Sequence, residues 1–312
     1  MPNRHFVGIH VGRSSLRARL LSEDGSPAVL VEKRFKDSRE LGESLTATFR
    51  ELATAPAWSA LAGVAVGLDK GQRCSLPIAS LQGLLPTDVS LVTMPAQQAQ
   101  LLGAIPSAPS LLVSLGTELR LASIDSTNTY REFRLQEGGG HWWTQELAKL
   151  AAHSSKLQRA LAGLGEPLKV MKALPRLLEG ADFPAPDPVL KVRVDGLCAT
   201  IAESCLGLSS RLPGIGAMSL AGFLHPGPMS LRISEGCAGH LRVHPARFPA
   251  EVGAALLGLA LYKENEERRH LGKPLEDGQS PPDRWAVPTV LVRRLFKLRR
   301  PFDSFAPHGV AR

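Results

Sequence analysis

Aromatic residues and cysteines are scarce in this sequence of 312 residues, which has ten Phe, four Trp, two Tyr and four Cys. Cys74, Cys198, Cys205 and Cys237 form no Cys-x-x-Cys pair, so we expect buried apolar thiols rather than a zinc site or a disulfide framework. No stretch reaches the about 18 uninterrupted apolar residues of a membrane span, and the N-terminal segment does not read as a secretory signal. We therefore expect a cytoplasmic protein.

Charge is limited as well, since charged residues make up 21% of the chain and apolar residues 44%. These values exclude disorder over most of the length, and a chain of this size can bury the core of one large or two medium domains. The net charge is +8, and part of the excess lies in residues 291–300, where Leu291, Leu295 and Leu298 would share one helical face. This basic segment fits a surface helix docked on the protein, or a site for an anionic partner such as a membrane surface or nucleic acid.

Two β-meanders with the same pattern begin near Phe6 and Ser110. In each, an apolar strand ends at a glycine, and two further strands with alternating apolar residues follow. The predicted strands are residues 6–12, 15–21 and 29–35 in the first copy and 110–118, 119–124 and 130–135 in the second. Such a repeat predicts two related lobes that face a cleft.

The segments between and after the meanders predict helices and buried strands. Helices are expected at residues 38–52, 96–102, 142–161, 192–208 and 248–262, and strands at residues 61–68, 89–92 and 217–222. Residues 174–190 contain four prolines and predict an irregular crossing. We expect an N-terminal lobe over residues 1–107, a C-terminal lobe over residues 108–270, and a linker with a basic tail over residues 271–312.

Seven short fragments fall in one order along residues 6–262. They are residues 8–18, 94–104, 114–118 and 138–143, the pairs Asp195-Gly196 and Ala221-Gly222, and residues 249–255. In this order they resemble the motifs of the actin-like ATPase superfamily, and within it the FGGY carbohydrate kinases: first phosphate loop, Asp-Gln-Gln-Ala segment, second phosphate loop, glycine run, Glu-Gly helix, adenosine loop and adenine-side helix. The compact layout is closer to the sugar-acid kinases and to the N-acetylglucosamine-kinase and BadF-type members.

This resemblance implies an α/β fold of the actin-like or ribonuclease H-like type, with mixed five-stranded sheets and a central nucleotide cleft. It implies ATP and Mg²⁺ as cofactors and a small carbohydrate as substrate. The residues that it places around the nucleotide are Gly12, Arg13, Ser14, Gly116, Thr117, Gly222 and Gly253.

The sequence departs from the resembled pattern at its carboxylates. His10 stands where the family has an acidic residue, and Ala96 stands where it has the catalytic aspartate. Phosphoryl transfer requires a carboxylate for the metal and another for the hydroxyl proton, so we consider Glu118 and Asp69 as replacements. The alternatives are an exposed loop charge for Glu118, a turn or cap residue for Asp69, and a core histidine or weak base for His10.

Three functions follow from these observations. The first is a divergent ATP-dependent carbohydrate kinase, and the second is an inactive pseudokinase that serves as a nucleotide sensor or interaction scaffold. In the third, the basic tail recruits the protein to an anionic partner. Trp142 and Trp143 are expected to pack in the core rather than to stack on a sugar.

Overall fold

The computed structural model describes residues 4–36, 38–69, 72, 81, 83–86, 89–106, 109–180 and 187–270. The predictions for Cys74, for the linker and for the basic tail lie outside these residues. Within the described part, no helix is both long enough and apolar enough to cross a membrane.

The chain has an α/β fold with two mixed five-stranded sheets, as predicted. The first sheet consists of β1 (His5–Val11), β2 (Ser15–Ser22), β3 (Pro27–Arg34), β4 (Leu61–Leu68) and β5 (Ser90–Pro95), in the order β3-β2-β1-β4-β5. The second consists of β6 (Ser110–Leu115), β7 (Leu119–Ile124), β8 (Tyr130–Leu135), β9 (Ala217–Ala221) and β10 (Arg242–His244), in the order β10-β9-β6-β7-β8. Each sheet contains an antiparallel hairpin, β1–β2 or β6–β7, that turns at Gly12 or Gly116. The first strand of each hairpin also pairs in parallel with a later strand, β1 with β4 and β6 with β9.

The helices that accompany the sheets are α1 (Ser38–Leu52), α2 (Ala96–Ala104), α3 (Gly140–Leu150), α4 (Ser155–Ala162), α5 (Pro167–Glu179), α6 (Pro188–Arg211), α7 (Pro228–Cys237) and α8 (Ala250–His270). Two regions differ from the prediction. The helix expected over residues 142–161 is interrupted by a 3-10 turn at Ala151–His153, and the Ser154 hydroxyl caps the next helix by accepting from the Leu157 amide at 3.1 Å.

The proline-rich crossing expected at residues 174–190 is largely helical where it is described. Pro175 lies inside α5, and Pro188 is the first residue of α6. A proline in the first turn removes an amide that has no helical partner, and Asp187 caps the Val189 and Leu190 amides. Of the described residues in this range, only Gly180 and Asp187 lie outside the two helices.

The described chain divides into two compact units. The first contains the residues before Pro109, the short segment Asn128–Tyr130 and the chain from Arg247 onward, and the second contains the remainder. Helix α8 therefore belongs to the first unit, whereas the sequence analysis placed residues 108–270 together in the second lobe. Local patterns give the helix but not the sheet on which it packs.

Helix α8 covers one face of the first sheet, opposite α1. On the α1 side, Val7, Ile9 and Val11 join a core with Leu45 and Phe49. On the other side α8 lies directly against β1 at Gly8, because a Cβ there would lie 1.9 Å from the Glu251 carbonyl oxygen and 2.4 Å from the Ala255 nitrogen.

A buried ion pair also joins α8 to the first sheet. Arg19 Nη2 of β2 lies 3.6 Å from Glu251 Oε1, with the side chains only 11% and 3% exposed. Burial raises the pKa of the Glu251 carboxyl group and lowers that of the Arg19 guanidinium, since both lose hydration. Removing either partner would leave an uncompensated charge inside the unit.

The second sheet carries a separate core beneath α3, α5, α6 and α7. Trp143 is fully buried there, as predicted, and its indole Nε1 donates to Met229 Sδ at 3.2 Å. The predicted burial of the thiols is confirmed for Cys198 and Cys205 on α6 and for Cys237 on α7.

Candidate functional site

The parallel strands of the first sheet end at one edge, and three of the sequence positions singled out above meet there. Because Leu68 pairs with Pro95 across β4 and β5, the next residues, Asp69 and Ala96, follow the strands side by side. His10 lies on the neighbouring strand β1, paired with Gly67. The carboxyl edge of a parallel sheet is where open α/β folds bind their ligands.

The turn between β1 and β2 lies at this same edge. The Gly12 amide donates to the Ser15 carbonyl at 2.8 Å, and the Phe35 amide donates to the Ser14 carbonyl at 3.0 Å. These bonds fix the turn while Arg13 and Ser14 stay exposed. The Gly12 amide itself is engaged within the hairpin, so any phosphate contact of this loop falls to the two exposed residues.

Gln72, which the sequence analysis missed, connects this turn to the end of β4. Its Nε2 donates to the Gly12 carbonyl at 3.0 Å, and its Oε1 accepts from the Asp69 amide at 3.0 Å. One side chain therefore positions both the phosphate-loop candidate and the carboxylate candidate. No sequence signal marks it, since an isolated glutamine has no periodicity or motif.

His10 is a neutral imidazole at physiological pH. Burial lowers its pKa to about 4, the nearby Asp69 carboxylate opposes this shift, and Arg17 adds to it. A neutral imidazole adds no negative charge to the edge where the resembled family has a carboxylate. Of the two alternatives, the core histidine agrees better with this environment than a base that works near neutral pH.

We expect the His10→Gln variant to lose less stability than the wild-type protein between pH 7 and pH 4.5. The pKa of His10 is about 4 in the folded chain and 6.5 in the unfolded chain, so the unfolded state binds the proton more tightly. The stability contributed by the neutral ring is therefore complete above pH 6.5 and is lost as the pH falls toward 4, by at most about 1.4 kcal/mol per pH unit.

Urea midpoints at the two pH values measure this difference. The exposed His153 supplies the control, because His153→Gln should follow the wild-type profile. Equal pH dependence in the wild-type and His10→Gln proteins would show that His10 is not the acid-sensitive group.

Helix α2 begins at this edge without a carboxylate. Ala96 is its first residue, and its N-terminus has no side-chain cap. The next two residues carry buried amide atoms, Gln97 Oε1 and Gln98 Nε2, that have no hydrogen-bond partner among the described residues. Such atoms destabilise a protein unless a ligand or water satisfies them, which makes the start of α2 a candidate binding surface.

The second unit contains the turn that repeats the Gly12 turn. Here the Gly116 amide donates to the Glu118 carbonyl at 3.2 Å. Both carboxylate oxygens of Glu118 are engaged by arginines: Oε2 accepts from Arg120 Nη2 at 2.8 Å, and Oε1 lies 3.0 Å from Arg134 Nη2. This geometry leaves Glu118 as a member of an ion-pair network and the weaker of the two predicted bases.

The glycine run before α3 packs against this second turn. The Gly140 amide donates to the Gly116 carbonyl at 2.9 Å, and the His141 amide donates to the Thr117 carbonyl at 3.1 Å. A Cβ at Gly139 would lie 2.6 Å from the Glu118 Cα, so glycine is required for this approach. The first amides of α3 therefore bind the loop rather than a phosphate.

Gly222 and Gly253 were both predicted to lie beside the nucleotide. At both positions, backbone atoms of a neighbouring segment occupy the space that a side chain would fill. Gly222 has a φ of +107°, and a Cβ there would lie 2.4 Å from the Leu115 carbonyl oxygen. At Gly253 on α8, a Cβ would lie 2.0 Å from the Ala99 carbonyl oxygen of α2. Their nucleotide contacts stay predictions, whereas their packing roles are visible within each unit.

The donor set does not fit Mg²⁺ together with a separate general base. Among the described residues, no group of three or more His, Cys, Asp or Glu side chains could hold a metal ion. At the edge of the first sheet Asp69 is the one described carboxylate among the predicted positions, beside neutral His10 and Ala96. Mg²⁺ requires oxygen ligands, and one carboxylate cannot both ligate it and accept a proton.

Comparisons with known proteins support the fold. No family model matches the sequence, and no curated protein matches it at a significant level. Among solved structures, a Chromobacterium violaceum protein assigned as an N-acetylglucosamine kinase has a TM-score of 0.60 at 20% identity, over 81% of this chain and 98% of its own.

Two further structures agree with this result. A ROK family glucokinase from Streptomyces griseus, in complex with glucose and AMPPNP, has a TM-score of 0.54 at 15% identity over 81% of this chain and 99% of its own. A ROK family protein from Streptococcus pneumoniae in complex with sucrose has a TM-score of 0.52 at 14% identity over 85% and 99%. At these identities the likeness shows the fold alone, which this chain shares with the three structures.

Proposed function

We propose that this chain is a divergent ATP-dependent carbohydrate kinase, in which Asp69 accepts the proton of a small-molecule hydroxyl. One observation carries the proposal: Asp69 directly follows β4, beside the start of α2 and tied through Gln72 to the Gly12 turn. A general base must lie within reach of the acceptor hydroxyl, and the position of Asp69 at the carboxyl edge of the first sheet supports this role.

The unpartnered amide atoms of α2 support a carbohydrate as the acceptor. Gln97 Oε1 and Gln98 Nε2 offer an acceptor and a donor, the pair that a sugar hydroxyl satisfies. Relatives of the same fold bind glucose with AMPPNP, or sucrose. We extend these ligand classes, ATP and a small carbohydrate, to this chain, and we place it with the compact FGGY-like proteins and in the cytoplasm.

A pseudokinase is the second candidate, and Ala96 favours it. An alanine cannot accept a proton, His10 is neutral, and Glu118 is bound by two arginines. Loss of a general base typically lowers a rate by about 10²- to 10⁴-fold. In this case the protein would bind nucleotide as a sensor or scaffold.

A role of residues 287–312 in recruiting an anionic partner is a separate proposal. Deletion of that segment, combined with a salt titration of binding to the partner, tests it.

Calorimetric titration of the full chain with ATP, followed by a coupled ADP assay over a panel of sugars and sugar acids, separates the candidates. The kinase predicts nucleotide binding and a rate that rises with one acceptor. The pseudokinase predicts binding and no acceptor-dependent rate. Absence of binding at millimolar nucleotide would remove both.

A further inference from the structure

The carboxyl edge of the first sheet, where we propose that a nucleotide binds, has few described carboxylates that could hold a metal ion. A nucleotide polyphosphate carries several negative charges, which kinases neutralise with metal ions held by carboxylates. Here Asp69 is the one described carboxylate among the predicted site positions at this edge, and the proposed function already uses it as a base, whereas the neighbouring Glu32 is paired with Arg17. The negative charge of the phosphates therefore needs another cation.

The turn at this edge supplies one. Arg13 stands at the tip of the β1–β2 turn, exposed and followed by the exposed hydroxyl of Ser14. The turn is held by the Gly12 amide, by the Ser14 carbonyl and by Gln72, so the backbone that presents Arg13 is fixed on three sides. Small residues fill this position in the phosphate loop that the sequence resembles, and an arginine there changes the chemistry of the loop.

A guanidinium is suited to this task. Its planar fork donates two parallel N–H···O bonds to a phosphate and keeps its charge at every physiological pH. Arg17 brings a second positive charge to the same end of the hairpin, because it pairs with His10 in the β1–β2 register, although it also forms an ion pair with Glu32. Arg17 therefore lies beside His10, the position at which the resembled family has an acidic residue.

We propose that Arg13 takes the place of the divalent cation, so that the loop of Arg13 and Ser14 binds the metal-free polyphosphate of a nucleotide. This inference rests on the proposed nucleotide binding and adds how the phosphates are neutralised. Mg²⁺ bound to the nucleotide neutralises part of the phosphate charge and so weakens the attraction between the phosphates and the guanidinium. Affinity should therefore be equal or higher without the metal.

Titration calorimetry of the full chain with AMPPNP, in EDTA and in excess Mg²⁺, tests the proposal. We expect a dissociation constant in EDTA no larger than in Mg²⁺. Arg13→Gln should weaken binding in EDTA by about 10- to 100-fold, the range for hydrogen bonds to a charged group. Arg13→Lys should fall between the two, because it keeps the charge and loses the fork.

Arg50, exposed on α1, supplies the matched control, and Arg50→Gln should bind as the wild-type protein does. Circular dichroism verifies that each variant is folded, and inorganic tripolyphosphate in EDTA provides a second probe, which should compete with AMPPNP for the wild-type protein. Binding that requires Mg²⁺, or equal affinities of Arg13→Gln and wild type, overturns the inference and leaves nucleotide binding intact. Absence of binding in both conditions overturns the proposed function instead.

Discussion

Gly253→Ala is expected to destabilise the first unit by on the order of 3 kcal/mol, at the upper end of the usual cost of overpacking. The new Cβ would lie 2.0 Å from the Ala99 carbonyl oxygen and 2.3 Å from the Gly103 nitrogen. Both are backbone atoms, so no side-chain rotation relieves the overlap, and α8 would have to move away from α2. Gly103 also lies close to the start of this helix, since its own Cβ would lie 2.6 Å from the carbonyl oxygen of Pro249, the residue before α8.

Gly196→Ala is the matched control. Gly196 lies inside α6, and a Cβ there meets nothing within 4 Å. Alanine is favoured over glycine in a helix interior by about 1 kcal/mol, so this variant should be slightly more stable than the wild-type protein. Urea unfolding, followed by circular dichroism, gives both midpoints. A Gly253→Ala midpoint at or above the wild-type value would contradict the packing of α8 on α2.

Asp69→Asn is expected to lower acceptor-dependent turnover by about 10²- to 10⁴-fold, the usual contribution of a general base. The amide side chain has nearly the shape of the carboxylate but cannot accept the proton. The backbone bond from Asp69 to Gln72 does not involve the side chain, so the Gly12 turn should remain in place. Nucleotide affinity should therefore change little while the rate falls.

Glu166→Gln serves as the control for this measurement. Glu166 forms a surface ion pair with Lys169 on the second unit, and turnover should be unchanged when it is replaced. Glu118→Gln identifies the other candidate base. If Glu118→Gln abolishes turnover and Asp69→Asn does not, the assignment of the base to Asp69 is wrong.

The strands were predictable because each meander is a local structure. Alternating apolar residues fix which side of a strand is buried, and a glycine at the end of the first strand permits the turn. Helix α1 followed the spacing of Leu41, Leu45 and Phe49, all of which are buried. The break after α3 was not predictable from apolar spacing, because it depends on the capping hydroxyl of Ser154.

The position of α8 could not be derived from the sequence. Its residues from Glu251 to Leu261 are all buried, so the helix has no polar face that would indicate an orientation. The absence of side chains at Gly8 and Gly253 lets it lie directly against β1 and α2, respectively. From the sequence alone, a glycine shows that a close approach is possible but not which element makes it. The assignment of Gly253 to the nucleotide comes from the family resemblance and stays a prediction.

Part of the candidate site could be predicted from the sequence. The position of Asp69 was predictable, because a carboxylate directly after a buried parallel strand lies at the carboxyl edge of the sheet. Gln72 and the ion pairs of Glu118 were missed, since each depends on residues that the fold brings together from separate segments. Arg134 reaches Glu118 only because β8 lies beside β7.

Because α8 completes the unit that β1 begins, the first unit is assembled from the two ends of the described chain. During synthesis, β1 to β5 leave the ribosome long before the helix that covers Gly8, and the nascent sheet keeps one apolar face open until translation has passed His270. The second unit, whose residues are nearly contiguous, can complete its core first. Folding of the nascent chain is therefore expected to proceed from the middle outward, with the amino-terminal sheet closing last.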